Sequence, residues 1–247
     1  MADLQDVKMV GRLLGQLRHS LRHELVRVLL VALLVVAGMW GFLELAGDVL
    51  EGDTRAFDRW LLNALRNPEK PEWPWGPRWL VEVGRDITAL GSPVVLTFVT
   101  LTVVGYLALQ RKYGAMWFVI VTTAGGGLLS QLLKTLFARE RPGGVLDVPY
   151  VWVSSPSFPS GHAMLAAVVY LALGILLARI EPNPLLKAYF LGVMMVLAFL
   201  VGMSRVYLGV HYPTDVLAGW TVGLVWALLC WLAAWYLQRR GAVERDR

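Results

Sequence analysis

The sequence predicts an all-α polytopic membrane protein: a bundle of six transmembrane helices with an interfacial helix between the first two. Three observations carry this prediction. Hydrophobic residues make up 57% of the 247 and charged residues only 17%, with a mean hydropathy of +0.56, a composition typical of integral membrane proteins. The apolar residues gather into six runs near the ~20 residues that a helix needs to cross a bilayer. The basic residues gather at alternate ends of those runs.

The first run, Leu25 to Ala46, follows a stretch containing Arg12, Arg18, Arg22 and Arg27. No small-residue cleavage site comes after it, so it reads as a retained anchor behind a cytoplasmic segment, 1–24. The connection 47–86 is long and patterned. From Asp53, a candidate N-cap, Phe57, Trp60, Leu61, Ala64 and Leu65 share one helical face, while Arg55, Asp58, Arg59, Asn63 and Arg66 take the other, which predicts a helix lying in the interface. Pro68 to Trp79 sets Trp73, Trp75 and Trp79 among prolines and predicts irregular backbone at headgroup depth. The remaining spans are Ile87 to Gln110, Tyr113 to Phe137, Ser160 to Ala178, Ala188 to Ser204 and Pro213 to Gln238, with a tail at 239–247. No repeat or second domain is visible, so 1–247 reads as a single membrane domain.

Charge gives an orientation. The net charge of +5 and pI near 9.5 belong to loops bearing Lys8 to Arg27, Arg111-Lys112, Arg179 with Lys187, and Arg239-Arg240. With six spans these fall on one side, which the positive-inside rule makes cytoplasmic. Both termini are then expected inside, in an inner or plasma membrane. The basic residues need no nucleic-acid partner to explain them. The one cysteine, Cys230, excludes an intrachain disulfide.

Three polar stretches fall on the opposite, extracytoplasmic face. Lys134 precedes Arg141-Pro142 at the end of the third span; Pro159-Ser160-Gly161-His162 opens the fourth; Ser204-Arg205, His211 and Asp215 lie between the fifth and sixth. Each alone has a structural explanation: cations at a helix C-terminus, an ordinary N-cap, an interfacial loop with a snorkelling arginine. Together they supply three cations, one helix N-terminus and two histidines, the composition of a phosphate site with a nucleophile and an acid. His211 and Asp215 are four apart, so a helix starting near Pro213 lets the carboxylate orient the ring and leaves the other nitrogen free to attack phosphorus. His162 would protonate the leaving oxygen and then activate water.

Other groupings are weaker. His19 and His23 lack a third metal ligand nearby, and Gly125-Gly126-Gly127 lies mid-span without the lysine and hydroxyl of a nucleotide loop.

In order and spacing, the three stretches resemble the signature motifs of the type 2 phosphatidic acid phosphatase (PAP2) superfamily, which includes vanadium haloperoxidases and glucose-6-phosphatase. The layout resembles the bacterial membrane branch over nearly the whole chain. The resemblance implies phosphate binding by Lys134, Arg141, Ser160, Gly161 and Arg205, catalysis by His211, Asp215 and His162, and no metal or other cofactor. It also implies a lipid phosphate or diphosphate substrate, with undecaprenyl diphosphate first and phosphatidylglycerophosphate, phosphatidate and diacylglycerol diphosphate as alternatives. A lipid phosphotransferase would share the phosphohistidine; a lipid transporter or flippase would need the pocket but not the histidines; a vanadate-dependent peroxidase fits a lipid-embedded layout poorly. The motifs read the phosphate and not what is attached to it, and oligomeric state is not encoded in them. The loop 143–158 is expected to border the pocket.

Overall fold

A computed structural model describes residues 2–142 and 155–240, with backbone only for 2–21 and 23. Most of the loop expected to border the pocket, 143–154, and the end of the tail, 241–247, lie outside the described residues. The helices are α1 (Ala2–Glu51), α2 (Arg55–Ala64), α3 (Arg78–Ala89), α4 (Pro93–Leu109), α5 (Tyr113–Phe137), α6 (Gly161–Ile180), α7 (Pro184–Tyr207) and α8 (Pro213–Arg239). Five are long and apolar enough to cross a membrane, and α3 with α4, bent by 43°, forms a sixth span.

Three boundaries differ from the sequence reading, each for a local reason. The second span starts early, because amphipathic α3 begins at Arg78 within the tryptophan and proline segment. It breaks where Ser92 caps a new helix by accepting from Val95 N at 3.3 Å, with Pro93 in the first turn. Tyr170 Oη donates to the Leu90 carbonyl freed at this bend. The fifth span runs longer at both ends, since Asn183 caps Leu185 N and Pro184 sits in the first turn. Helix α1 is continuous from Ala2, about 75 Å long at 1.5 Å per residue, so its membrane run Glu24–Glu51 is only its second half.

Helix α6 is the centre, packed on α5, α7 and α8. The α6–α8 contact is close because Gly219 and Gly223 lie one turn apart on α8. A Cβ on Gly219 would stand 2.7 Å from the Ser160 carbonyl oxygen, and one on Gly223 2.7 Å from that of Met164. Small residues are what allow two backbones to approach in this way. The contact fixes the N-terminus of α6 against that of α8, where Ser160 N donates to the Asp215 carbonyl at 2.9 Å.

Helix α2 is the short helix between the first two spans, but it is turned differently from expectation. Thr54, not Asp53, is its N-cap, without a side-chain cap bond. Phe57 and Trp60 face outward, 51% and 65% exposed, while Asp58, Leu62 and Arg66 are buried. Leu62 packs with Ala163, Val206 and Val216 from three of the site-bearing helices, α6, α7 and α8. Apolar residues turned outward and charged residues turned to protein invert the usual pattern, and the reason lies in what Asp58 and Arg66 hold.

Candidate active site

Alternating helix directions bring four helix ends together at one end of the bundle: the C-termini of α5 and α7 and the N-termini of α6 and α8. Every residue expected at the site lies there. Lys134 is in the last turn of α5; Ala138, in the left-handed region at φ 43°, then turns the chain toward Arg139 and Arg141. Lys134 is buried and donates to the Pro156 carbonyl at 2.6 Å. Arg141 donates from Nε to the Ser155 carbonyl (2.7 Å), from Nη1 to the Val210 carbonyl (2.7 Å), and from Nη2 to Ser155 Oγ (3.1 Å) and the Pro156 carbonyl (3.3 Å). Arg205, 2% exposed, donates from Nη1 to Thr88 Oγ1 of α3 at 2.9 Å. All three cations are therefore held by neutral oxygens.

Ser160 is the N-cap residue of α6, but its side chain makes no cap bond. Its Oγ and the Nε of Arg205 are buried with no hydrogen-bond partner. Gly161 lies so close to Lys134 that a Cβ would meet the Lys134 Cε at 3.2 Å. His162 follows within electrostatic reach of Arg205, His211, Arg141 and Lys134.

His211 occupies the turn between α7 and α8 and is 1% exposed. Arg141 Nη1 stands 3.0 Å from its Nε2. A guanidinium can only donate, so Nε2 presents its lone pair, and in the neutral ring Nδ1 bears the hydrogen. Nδ1 faces Asp215 Oδ2 at 3.4 Å, the expected pairing at long range. Burial pushes the ring well below the ordinary histidine pKa, and Arg141, Arg205 and Lys134 add to this against a smaller opposing hydrogen bond with the Ser157 backbone. Burial also pulls the Arg141 guanidinium down to about 10. The turn closes through Gly209 at φ 73°, a region that favours glycine.

This grouping of motifs has known counterparts. The family model for the PAP2 superfamily matches residues 115–239. The chain belongs to the PAP2 superfamily. Phosphatidylglycerophosphatase B of Bacillus subtilis (strain 168) is 38% identical over 150 residues, 60% of this chain and 71% of that protein. An undecaprenyl-diphosphatase of Sulfolobus acidocaldarius is 36% identical over 99 residues, 39% of this chain and 44% of that protein. Among solved structures, the transmembrane PAP2-type phosphatidylglycerolphosphate phosphatase from Bacillus subtilis matches at a TM-score of 0.70 with 31% identity, covering 86% of this chain and 98% of that one. The protein is thus a polytopic membrane hydrolase of the PAP2 lipid phosphatase type.

Around these PAP2 motifs stand residues that the sequence reading did not single out for the site. Arg139 donates to Asp215 Oδ1 at 2.5 Å, to Asp58 Oδ2 at 2.7 Å and to Thr214 Oγ1 at 2.9 Å, with its guanidinium 4.3 Å over the Tyr212 ring. Asp58 also accepts from Thr214 N and Oγ1. Arg66 donates to the carbonyls of Val206 and Tyr207. A signal was present: Asp58, Leu62 and Arg66 recur every four residues, a second stripe that runs along α2 and into the turn after it.

Proposed function

We propose that the chain dephosphorylates a membrane lipid phosphomonoester, phosphatidylglycerophosphate, through a phosphohistidine on His211. The observation that carries the chemistry is the state of the three cations. Lys134 and Arg205 are buried and Arg141 half-buried. All three are bonded to neutral oxygens; among the described residues none is in a direct ion pair, and Ser160 Oγ and Arg205 Nε are left without a partner. Buried polar groups without partners are uncommon, and here a phosphate's oxygens supply what is missing.

With the phosphate held there, the Nε2 lone pair of His211 attacks phosphorus and the bond to the lipid oxygen breaks. His162 delivers its proton to that oxygen, then takes one from a water that attacks the phosphohistidine and releases phosphate. Asp215 orients the ring through Nδ1. Arg141 now touches Nε2, so an incoming phosphate takes over its donors as it takes the nucleophile. The charge pattern of the loops supports an extracytoplasmic site with both termini inside. Because the site lies at helix ends, a lipid tail can remain in the bilayer while the headgroup enters.

Similarity to the phosphatidylglycerophosphate enzymes, spread over most of the chain, puts that substrate ahead of the undecaprenyl diphosphate that the family resemblance of the layout put first. Undecaprenyl diphosphate is the second reading, supported by the shorter match to an undecaprenyl-diphosphatase. Phosphate release by purified protein from both lipids, with phosphatidate alongside and His211→Ala as control, tests this. A higher kcat/KM on phosphatidylglycerophosphate, abolished in the variant, is expected; preference for the diphosphate reverses the assignment, and release surviving in His211→Ala removes the mechanism.

A further inference from the structure

The mechanism above uses Asp215 but none of the groups that hold it. Asp215 is fully buried. Its Oδ2 accepts from Tyr212 N at 2.9 Å and faces His211, while its Oδ1 accepts from Arg139. Arg139 reaches in the other direction to Asp58, which is also fully buried and is fixed by both the N–H and the hydroxyl of Thr214. Two carboxylates and one guanidinium therefore share this cluster, which carries one surplus negative charge.

We propose that Asp58 and Arg139 are positioning residues for the nucleophile, with α2 acting as a brace from the membrane interface; this rests on His211 being the nucleophile. Two physical reasons support it. An arginine facing a single carboxylate frequently binds it through both oxygens. Asp58 engages the second guanidinium nitrogen, so Asp215 gives Arg139 only Oδ1 and keeps Oδ2 for His211. The second reason is charge. As the N–P bond forms from the Nε2 pair and the P–O pair departs with the leaving oxygen, the ring keeps its Nδ1 hydrogen and becomes cationic. The cluster's surplus negative charge lies on the far side of the ring from Lys134, Arg141 and Arg205 and balances that cation.

The test compares Asp58→Asn and Arg139→Lys with the unmodified protein in the same detergent, each checked for thermal unfolding. Asn keeps the shape and an acceptor for Thr214 but removes the charge; Lys keeps the charge but cannot fork. Both are expected to lower kcat about 10- to 100-fold, the scale seen when a residue behind a reactive group is lost, with KM and vanadate inhibition changed less than about twofold because the cations that bind phosphate are untouched. In Asp58→Asn the acid limb of kcat/KM should also move to lower pH. His211 then faces Lys134, Arg141, Arg205 and Arg139 with Asp215 as the one remaining carboxylate, and protonates less readily. In Arg139→Lys the limb should stay. Unchanged kcat, or a fall in kcat matched by equal weakening of vanadate binding and no movement of the limb, overturns the proposal. Turnover in His211→Ala overturns the nucleophile assignment itself and is scored separately.

A second, independent inference concerns the opposite end of the bundle. A cavity of about 1200 Å³ lies there between α5, α6, α7 and α8. Trp117, Trp231 and Trp235 line it, with Arg27, Arg179 and Lys187. Among the described residues, no carboxylate lies within ion-pair distance of these three cations; nearby Glu24 is engaged by Arg239 and Trp235. An apolar cavity with aromatic walls and uncancelled cations matches a lipid with an anionic head. We infer that it binds an anionic phospholipid, phosphate against the cations and acyl chains along the tryptophans. Native mass spectrometry of the full chain with vanadate present, to fill the active site, tests this with phosphatidylglycerol and phosphatidylcholine. Phosphatidylglycerol retention at least fivefold above phosphatidylcholine is expected, and its loss in an Arg179→Gln, Lys187→Gln variant. Equal retention of the two lipids, no retention, or a preference that survives in the variant overturns it.

Discussion

The close contact of α8 on α6 makes Gly219→Ala a sharp test of how the two halves of the site are held. The added Cβ would lie 2.7 Å from the Ser160 carbonyl oxygen, 3.1 Å from the Ala163 Cβ and 3.2 Å from Met164 N. A carbon needs about 3.3 Å from a carbonyl oxygen, so the helices must part by roughly 0.6 Å, and two of the three neighbours are backbone. Overpacking of this kind costs about 1–3 kcal/mol. The displacement also falls where Ser160 N bonds the Asp215 carbonyl, so it separates Ser160 and His162 from His211 and Asp215. Since a misplacement of about 1 Å can cost 10²-fold in rate, a shift of this size should lower kcat about 10-fold. Thermal unfolding and steady-state phosphate release on the same preparation measure both. A variant as stable and as active as the parent would refute the view that this backbone contact sets the site.

Three further outcomes follow from the same geometry. His211→Ala should lose at least about 10³-fold in kcat, the scale of removing a nucleophile acting as part of a unit, while vanadate still protects the protein from heating, because the cations remain; loss of protection as well would place His211 in binding. The pKa of free His211 lies below the usual histidine range, through burial and then Arg141. The acid limb of kcat/KM should accordingly lie below pH 6.5, the ordinary histidine value, and stability contributed by the neutral ring, complete above that pH, should be lost as pH falls; a limb at or above 6.5 contradicts the assignment. Gly209→Ala combines a left-handed φ of 73° with a Cβ 2.8 Å from Arg66 Nη2, and should cost about 1–3 kcal/mol of stability, read by thermal unfolding in detergent; an unchanged midpoint would show that the Arg66 clamp yields freely.

How far the sequence was legible depended on where the information lay along the chain. Helix boundaries came through where a cap was local: Pro213 opens α8 as its position predicts, and Tyr113 to Phe137 was read as found. The motif residues were legible because each has a distinctive type at a fixed spacing next to a helix end. The brace was not, because its partners are far apart in sequence, 81 residues for Asp58 and Arg139 and 156 for Asp58 and Thr214. Periodicity alone assigned Asp58 and Arg66 to the polar, water-facing side of α2. That rule assumes water on one side and apolar core on the other; here the apolar side faces outward, Asp58 is bonded by Arg139 and Thr214, and Arg66 reaches the carbonyls at the end of α7. The bend at Leu90 to Ser92 was missed because hydropathy continues through it, although Ser92-Pro93 carries a helix-start signal.

The division of the site's cations into two kinds leads to a last prediction. Arg139 lies between two carboxylates, and its guanidinium is held more firmly protonated by Asp215 and Asp58 despite burial. Lys134, Arg141 and Arg205 instead donate to carbonyls and to two hydroxyls. The first arrangement cancels charge and fixes position; the second fixes position and leaves the charge to act on a ligand. A trigonal bipyramidal oxyanion resembles phosphorus during in-line attack more closely than tetrahedral phosphate does, and the arrangement that serves the reaction should therefore bind it more tightly. Vanadate should inhibit competitively with lipid at least about 10²-fold more strongly than inorganic phosphate. Arg205→Lys, which keeps the charge but loses the forked geometry, should shrink that ratio more than it weakens phosphate itself. Equal potency of the two anions would mean that the cations merely collect negative charge and that the geometry around His211 is not tuned to the attack.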